Sequence, residues 1–169
     1  MRSMLLAACG AVLALAGGGA WASDASEAIA AVRKFSAAAN GTDRAAYAAF
    51  CTADAVFIDH VPPYVFHGPT ACADEWDAVG RWIEQNRIVA SDYGTLAEPA
   101  FVDAAGDRVY AVFPVTASAT RSGRKEIETG AWTFVLRREA GDWRIAALTW
   151  STFSFAPARD AKSAPKRKH

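Results

Sequence analysis

Residues 57–68, FIDHVPPYVFHG, place a carboxylate and two imidazoles around a double proline. Asp59 and His60 end an apolar run, and His67 lies just beyond the turn at Pro62-Pro63. Side chains of these types can act as a general base, as a proton-transfer dyad or as metal ligands. If the chain folds back at the prolines, His67 comes to within about a residue of facing Asp59, so the two could form a dyad.

Each of these residues also has a purely structural interpretation. Asp59 could cap the turn as a strand-end acid, and His67 could hydrogen-bond at the start of the following helix. Neighbouring strand residues point to opposite faces of a sheet, so only one of Asp59 and His60 can face inward. We assign the inward position to Asp59 as a candidate acid/base residue, and we place His60 at the surface or at a subunit contact. Because this adjacency also hinders convergence on an ion, no metal site is predicted.

Three helices must position this segment. The first is predicted over residues 26–39, the second is a short helix capped by Thr42, and the third starts at Gly68-Pro69-Thr70. An apolar stripe on the third helix predicts its buried face, and it is made of Cys72, Trp76, Val79 and Ile83.

After residue 86 the sequence pattern changes from helical to alternating. The predicted strands are residues 55–59, 64–67, 88–103 with a break near Pro99, 108–120, 124–138 and 143–153. Pro114 lies inside one of them and predicts a bulge, because proline cannot donate to a ladder. Helices followed by antiparallel strands predict a single α+β domain in which a curved sheet wraps around the helices.

Several aromatic residues fall where such a sheet would enclose an apolar pocket. The candidate ligand-binding residues are Phe35, Tyr64, Trp76, Phe113, Trp132 and Trp150. The simpler interpretation is that most of them are plain core. Trp132 and Trp150 are the better pocket candidates, because a buried indole N–H needs a partner. Strict alternation cannot put Trp143 and Trp150 on one face, so a pocket position for Trp150 requires a bulge.

Both ends of the chain differ from its middle. A basic start, an apolar run and the sequence Ala20-Trp21-Ala22 predict a signal peptide over residues 1–22. We therefore expect an exported protein, periplasmic or secreted, with one domain over residues 23–155 and no membrane attachment after cleavage. Residues 156–169 form a basic, disordered tail that holds five of the 18 Lys and Arg residues. The remaining domain is net acidic, which argues against binding to nucleic acid.

Cleavage of the signal peptide would leave two cysteines, Cys51 and Cys72. A hairpin centred on the prolines brings both flanks toward each other, and an oxidising compartment allows a disulfide to persist. Such a bond requires Cα atoms within roughly 7 Å of each other. The alternative is a pair of buried free thiols, since Cys72 also fits the apolar stripe of its helix.

The order of these elements and several local motifs resemble the nuclear transport factor 2-like superfamily, which includes SnoaL-like domains, ketosteroid isomerase and scytalone dehydratase. The resemblance covers about residues 26–154. It is carried by Ala53-Asp54-Ala55, His67-Gly68-Pro69, Trp132-Thr133-Phe134, Gly141-Asp142-Trp143-Arg144-Ile145 and Trp150-Ser151. It implies a cone-shaped fold, in which a curved antiparallel sheet wraps around three N-terminal helices and encloses an apolar pocket. It implies no particular reaction, because one fold hosts many functions.

The same resemblance gives Asp59 a role. Ketosteroid isomerases carry their general base as an aspartate at the end of the first strand, and its spacing to the following glycine matches Asp59 to Gly68. The tyrosine that stabilises the oxyanion in those enzymes is replaced here by Phe35, and Trp132 lies near the place of the second donor. Loss of a preorganised donor lowers a rate by on the order of a hundredfold. Steroid isomerisation is therefore not predicted.

Two functions remain open from the sequence. The first is an exported SnoaL-like domain that binds a small apolar molecule and acts on it by acid/base catalysis through Asp59, as an isomerase, dehydratase or cyclase. The second is a non-catalytic module for ligand binding or dimerisation. Nothing resembles a phosphate loop, a dinucleotide motif or a nucleophile elbow, and no cofactor is predicted. Mixed polar and apolar residues on the outer sheet face lead us to expect a homodimer.

Overall fold

The computed structural model describes residues 18–158, except for the side chains of residues 18–22, 90, 93 and 95. Most of the predicted signal peptide and most of the basic tail lie outside the described residues. The helices are α1 Gly18–Ala39, α2 Arg44–Ala48 and α3 Ala71–Gln85. The strands are β1 Cys51–Ile58, β2 Val65–His67, β3 Ile88–Leu96, β4 Phe101–Ala105, β5 Arg108–Arg121, β6 Arg124–Glu139 and β7 Asp142–Pro157.

The strands form one curved, open sheet in the order β2-β1-β7-β6-β5-β3, and β4 also pairs with β5. β1 runs parallel to β7, whereas the other described pairs are antiparallel. The prediction of helices followed by a curved sheet is confirmed. The sheet is mixed rather than wholly antiparallel, because β1 precedes the meander and joins it beside the last strand, in the same direction.

One face of α1 packs into the interior. Its first turns are tied to the sheet by Arg138 of β6, which pairs with Asp24 and Glu27. α1 begins at Gly18 rather than near residue 26, so Ser23 and Asp24, whose side chains suit a helix cap, lie within the helix. Its buried residues follow the predicted helical spacing, and they are Ala28, Val32, Phe35 and Ala39.

The second helix is capped one residue later than the sequence predicted. The side chain of Asp43, not that of Thr42, accepts the N–H groups of Ala45 and Ala46, both at 3.0 Å. The short helix that follows turns Tyr47 inward, where it is 3% exposed. α2 therefore serves to place one phenol in the interior.

α3 buries the predicted apolar stripe together with one unexpected residue. Cys72 and Val79 are buried, and Trp76 and Ile83 are half-buried. Glu75 lies on the same face and is 5% exposed. A carboxyl on the buried face of a helix costs free energy unless a partner or a proton compensates for the lost hydration.

Pro114 lies in β5 without a bulge against β6, so that prediction is wrong. The pairing of β5 with β6 is continuous from Arg108 to Arg121. On its other edge, β5 changes partner from β4 to β3 around Pro114, where the Ala97 N–H donates to the Pro114 carbonyl at 3.2 Å. The nitrogen of Pro114 points to this same edge, so its missing N–H falls where the neighbouring strand is interrupted.

A bulge in β7 decides which of its residues face the interior. The register against β6 shifts between Val135↔Ala147 and Leu136↔Ile145, which leaves Ala146 as the extra residue. The extra residue reverses the alternation, so Trp143 and Trp150 are both buried. Gly130 makes room for the second indole, since a Cβ at this position would lie 2.8 Å from the Trp150 ring.

The first strand and the third helix are also joined covalently. Cys51 at the start of β1 and Cys72 in the first turn of α3 form a disulfide, with their Cα atoms 6.5 Å apart. The bond encloses β1, the proline turn and β2. Within the described residues, no helix combines the length and the apolar character that a membrane span requires.

The disulfide should contribute about 3 kcal/mol to the free energy of unfolding, because it restricts the unfolded chain over a sequence separation of 21 residues. We expect the Cys51→Ser/Cys72→Ser double variant to unfold at a lower denaturant concentration by the corresponding amount. Mass spectrometry of the mature protein, from which the predicted cleavage removes Cys9, checks the bond directly after denaturation and alkylation without reductant. No alkyl addition is expected, and two additions would contradict the prediction.

Candidate functional site

A cavity of about 240 Å³ lies between α3 and the concave face of the sheet. Four tryptophans contribute to its walls, namely Trp76, Trp82, Trp132 and Trp150. Its titratable side chains come from both helices α2 and α3, from the end of β1 and from strands β3 and β6, and they are Tyr47, Asp59, His60, Glu75, Asp92 and Glu128. The site thus combines an apolar volume with several carboxyl groups.

Glu75 is the most deeply buried of these carboxyls. Tyr47 Oη donates to Glu75 Oε2 at 2.7 Å, and the described residues provide no donor to Oε1. Burial raises the pKa of Glu75 to about 8, with a smaller contribution from the negative charge of Asp59, and the hydrogen bond from Tyr47 opposes the shift. At neutral pH the side chain is therefore mainly the uncharged acid, which has a proton to donate.

Asp59 and His60 both face the cavity. The chain leaves β1 at Ile58, so strand alternation no longer applies to the next two residues, and the expectation that only one of them faces inward is wrong. Asp59 Oδ1 accepts the Val61 N–H at 2.9 Å and lies 3.2 Å from His60 Nδ1. This contact with Asp59 raises the pKa of His60, against burial, which lowers it.

Aromatic rings hold the imidazole of His60 in place. It packs edge-on against Trp82 and Phe155, with ring centroids 5.3 Å and 6.3 Å away. Both ring nitrogens are shielded from solvent, and neither has a well-aligned hydrogen bond within the described part of the chain. The short distance to Asp59 is therefore an ionic contact rather than a linear hydrogen bond.

Glu128 forms a third polar group of the cavity, on β6. Trp150 Nε1 donates to Glu128 Oε1 at 3.1 Å, and Thr152 Oγ1 donates to the same oxygen at 2.6 Å. The indole of Trp150 also donates to Thr152 Oγ1 at 3.0 Å. These contacts satisfy the buried indole N–H, as expected for a pocket tryptophan. They leave Glu128 Oε2 without a donor among the described residues.

The predicted site residues separate into three groups. Asp59, Trp76, Trp132 and Trp150 line the cavity. Phe35 and Phe113 are fully buried and support the walls from behind, with the Phe35 ring 4.7 Å from that of Tyr47. Tyr64 is 55% exposed and lies outside the cavity.

His67 also lies outside the cavity, and the structure does not bring it to Asp59. His67 is exposed on β2 and pairs with Val56. Asp59 instead lies opposite Tyr64, to whose carbonyl its N–H donates at 3.0 Å. The hairpin is centred on Val61-Pro62 rather than on the two prolines, so the predicted Asp59–His67 dyad is wrong. No group of three or more His, Cys, Asp or Glu side chains that could hold a metal ion occurs among the described residues.

Two of the cavity carboxyls were missed although the sequence contained a signal for each. Glu75 follows Cys72 by three residues and precedes Val79 by four, which places it on the buried face of α3. Glu128 shares strand parity with Trp132, so it points to the same side of β6. The inward position of His60 had no such signal, because it depends on where β1 ends.

We expect the free energy of unfolding to fall as the pH rises from about 4.5 to about 8. Over this range Glu75 keeps a proton in the folded protein that it loses on unfolding. One such proton contributes a slope of up to about 1.4 kcal/mol per pH unit. Glu75→Gln mimics the uncharged acid and should flatten the profile, which urea unfolding followed by tryptophan fluorescence measures.

The matched control for this experiment is Glu84→Gln, which removes an exposed carboxyl from the same helix. His60 contributes in the same direction above about pH 6.5, since its pKa is also raised on folding. The readout is therefore the difference between the two variants. Equal slopes in Glu75→Gln and Glu84→Gln would refute the buried, protonated carboxyl.

Comparison with solved structures identifies proteins that share this fold. The chain is similar to a type 2 hexachlorocyclohexane dehydrochlorinase at 14% identity, with a TM-score of 0.66 and coverage of 87% of this chain and 99% of the other. It is similar to a candidate scytalone dehydratase from Novosphingobium aromaticivorans at 12% identity, with a TM-score of 0.64 and coverage of 80% and 87%. A nuclear transport factor 2-like protein from Pseudomonas putida is 20% identical, with a TM-score of 0.61 and coverage of 77% and 87%.

These identities are low, so the likenesses establish the fold and leave the reaction open. No curated protein sequence matches the chain. Residues 32–147 match the family model of the SnoaL-like domain. This match begins within α1, ends at the bulge of β7 and includes all four carboxyls that line the cavity. The chain therefore belongs to the SnoaL-like domain family.

Proposed function

We propose that this protein is an acid/base catalyst that moves a proton on a small, largely apolar molecule bound in the cavity, in a reaction of the isomerase, dehydratase or cyclase type. One observation carries the proposal. Glu75 is a buried carboxyl whose pKa is raised to about 8, and it shares the cavity with Asp59, a carboxyl in a polar setting. Two carboxyls in unlike environments are suited to opposite roles, one as acid and one as base.

In this proposal Asp59 accepts a proton from a carbon of the substrate. Glu75 donates its hydrogen bond, and then its proton, to the oxygen on which negative charge develops. In an isomerisation, Asp59 returns its proton to another carbon and Glu75 recovers its own. In an elimination, the proton from Glu75 leaves with the departing hydroxyl group as water.

Glu75 also supplies a hydrogen-bond donor to the oxygen of the substrate, which the side chain of Phe35 cannot provide. The family's isomerases use a phenol of the first helix at that position, and Phe35 has no hydroxyl. Here a phenol is provided by Tyr47 of α2, which donates to Glu75 rather than directly into the cavity. The hydrogen bond fixes the carboxyl of Glu75, so that its other oxygen is available to a ligand.

His60 acts in this proposal through Asp59. Its imidazole is held between two aromatic rings, and Nδ1 lies 3.2 Å from Asp59 Oδ1. The contact fixes the direction in which the Asp59 carboxyl points. We therefore regard His60 as a positioning residue.

The relatives support elimination or isomerisation as the class of reaction. Two proteins of similar fold are named for a dehydrochlorinase and a dehydratase, both of which remove a small group together with a proton. We further propose that the protein is exported, which the sequence of residues 1–22 supports and which accords with the Cys51–Cys72 bond.

We expect Asp59→Asn to lower the catalysed exchange of carbon-bound protons by about 100-fold or more, because an amide cannot act as the base. The assay follows deuterium uptake by a small cyclic enone, cyclohexenone with the double bond β,γ to the carbonyl, in heavy water by NMR. Glu75→Gln should lower the rate of exchange by less, about tenfold, since an amide still donates a hydrogen bond. Glu84→Gln, on the exposed face of α3, is the control.

The same assay separates the two functions left open by the sequence. Exchange at the buffer rate in the wild-type protein, or equal exchange in wild type and Asp59→Asn, would favour a binding module and overturn the catalytic proposal.

We also propose a homodimer through the outer face of the sheet. One row of paired positions crosses six strands on this face, and its members are Val65, Ile58, Thr149, Thr133, Val112 and Phe101. Tyr110 lies beside this row, and 42% of its surface is exposed. Ile58, Val65 and Phe101 of the row are exposed as well. An apolar row of this length on an open sheet is suited to a two-fold contact with a second copy.

We expect Tyr110→Lys to shift the protein from dimer to monomer, because it places a charge within the proposed contact. Light scattering at micromolar concentration measures the mass. Val89→Lys is the control, since Val89 is 80% exposed on β3, away from this row. A monomeric wild-type protein, or a Tyr110→Lys variant that remains dimeric, would rule this contact out.

A further inference from the structure

The cavity has more acidic than basic groups on its walls. Four carboxyls line it, from Asp59, Glu75, Asp92 and Glu128, and His60 is the one lining residue that can carry a positive charge. No lysine or arginine is among the described residues that line it. Even with Glu75 uncharged, the remaining carboxylates outnumber the imidazole. A ligand with a negative charge would be repelled here.

The aromatic walls favour the same sign of ligand charge. The face of an indole ring carries partial negative charge and attracts cations. Trp132 and Trp150 meet nearly at right angles, with ring centroids 6.1 Å apart and planes at 80°, and so form a corner of the cavity. Quaternary ammonium groups bind in sites that are walled by several aromatic rings.

Glu128 places a carboxylate at this corner. Its Oε1 accepts hydrogen bonds from Trp150 and Thr152, which hold the side chain against the indole. Its Oε2 has no donor among the described residues. Deeper in the cavity, Glu75 is nine-tenths buried and also has an oxygen, Oε1, that no described residue satisfies. Glu128 Oε2 is therefore the acceptor available to a cation, whereas the protonated Glu75 can act only as a hydrogen-bond donor at its free oxygen.

The nearest arginine does not neutralise the cavity. Arg121 lies over the Trp82 ring at 5.6 Å, but it does not line the cavity. Its guanidinium is engaged instead with Glu126 at 3.5 Å and with Asn86 at 3.5 Å. A bound ligand would therefore have to supply the positive charge that neutralises the carboxylates of the cavity.

We infer that the ligand is a small organic cation, with an apolar body and a protonated or quaternary amine that lies between Glu128 and the Trp132–Trp150 corner. This inference rests on the proposed function, because it names the substrate class of the same cavity. The residues proposed to bind the amine lie on β6 and β7, whereas the proposed acid/base residues lie on α3 and at the end of β1. A substrate that reaches both therefore carries its amine and its reacting carbon as separate groups.

Three probes of one shape and different charge test the inference. They are choline, the alcohol dimethylbutanol, in which a carbon replaces the nitrogen, and the anion dimethylbutanoate. Quenching of tryptophan fluorescence reports binding, since four tryptophans line the cavity. We expect choline to bind about tenfold more tightly than dimethylbutanol, which corresponds to about 1.4 kcal/mol, and we expect dimethylbutanoate to bind more weakly than either.

Glu128→Gln should weaken choline binding about tenfold and leave dimethylbutanol binding unchanged. Unchanged binding of the alcohol also shows that the variant folds. Glu126→Gln removes a carboxyl two positions earlier on the same strand, outside the cavity lining, and should keep the wild-type preference.

Two outcomes would overturn the inference. One is equal or tighter binding of dimethylbutanol than of choline, and the other is a choline affinity that Glu128→Gln does not change. If the uncharged probe binds and the proton exchange still depends on Asp59, the cation inference fails while the acid/base proposal stands. If none of the three probes binds, the cation inference is overturned, and the exchange assay alone decides the proposed function.

Discussion

Burying Glu75 under aromatic walls removes the hydration of its carboxyl, and the folded protein must compensate for that loss. It does so in two ways, by retaining the proton and by donating the Tyr47 hydroxyl to one oxygen. The second requirement explains why α2 exists as a helix of five residues: its cap at Asp43 sets the direction in which Tyr47 leaves the chain. Phe35 of α1 then packs on the Tyr47 ring and holds it in place.

The cavity around this carboxyl depends on local departures from regular strand geometry. The extra residue in β7 turns Trp150 inward, and Gly130 leaves space for its ring. Gly94 performs a related task in β3, where its φ is +97° and a Cβ would lie 2.6 Å from the Thr116 carbonyl oxygen. Such irregularities bend the sheet and re-aim side chains. A few residues therefore determine the curvature of the sheet that encloses the cavity.

The fold and part of the site were accessible from the sequence because they depend on periodicity and short motifs. The stripe from Cys72 to Ile83 placed α3, and the position of Asp59 at the end of the first strand made it a candidate cavity residue. The features that sequence reasoning missed depend on shifts of one residue along the chain. The centre of the proline hairpin decides whether His67 or Tyr64 faces Asp59, and the end of β1 decides where His60 points. One extra alanine in β7 decides the position of Trp150, and no local signal marks it.

The Cys51–Cys72 bond has a consequence for how a molecule reaches the cavity. Asp59 and His60 lie on the chain between the two cysteines, and Glu75 lies one turn beyond the second, so the bond ties together the segments that carry two of the cavity carboxyls at that end of α3. Breathing motions that part α3 from β1 are therefore restrained near Cys72. The opposite end, where Trp82 and Ile83 approach β3 and the half-exposed Phe155, has no such covalent restraint among the described residues. This end of α3 can therefore move away from the sheet more freely than the end at Cys72, and Phe155 lies on the part of the cavity wall that such a motion would affect.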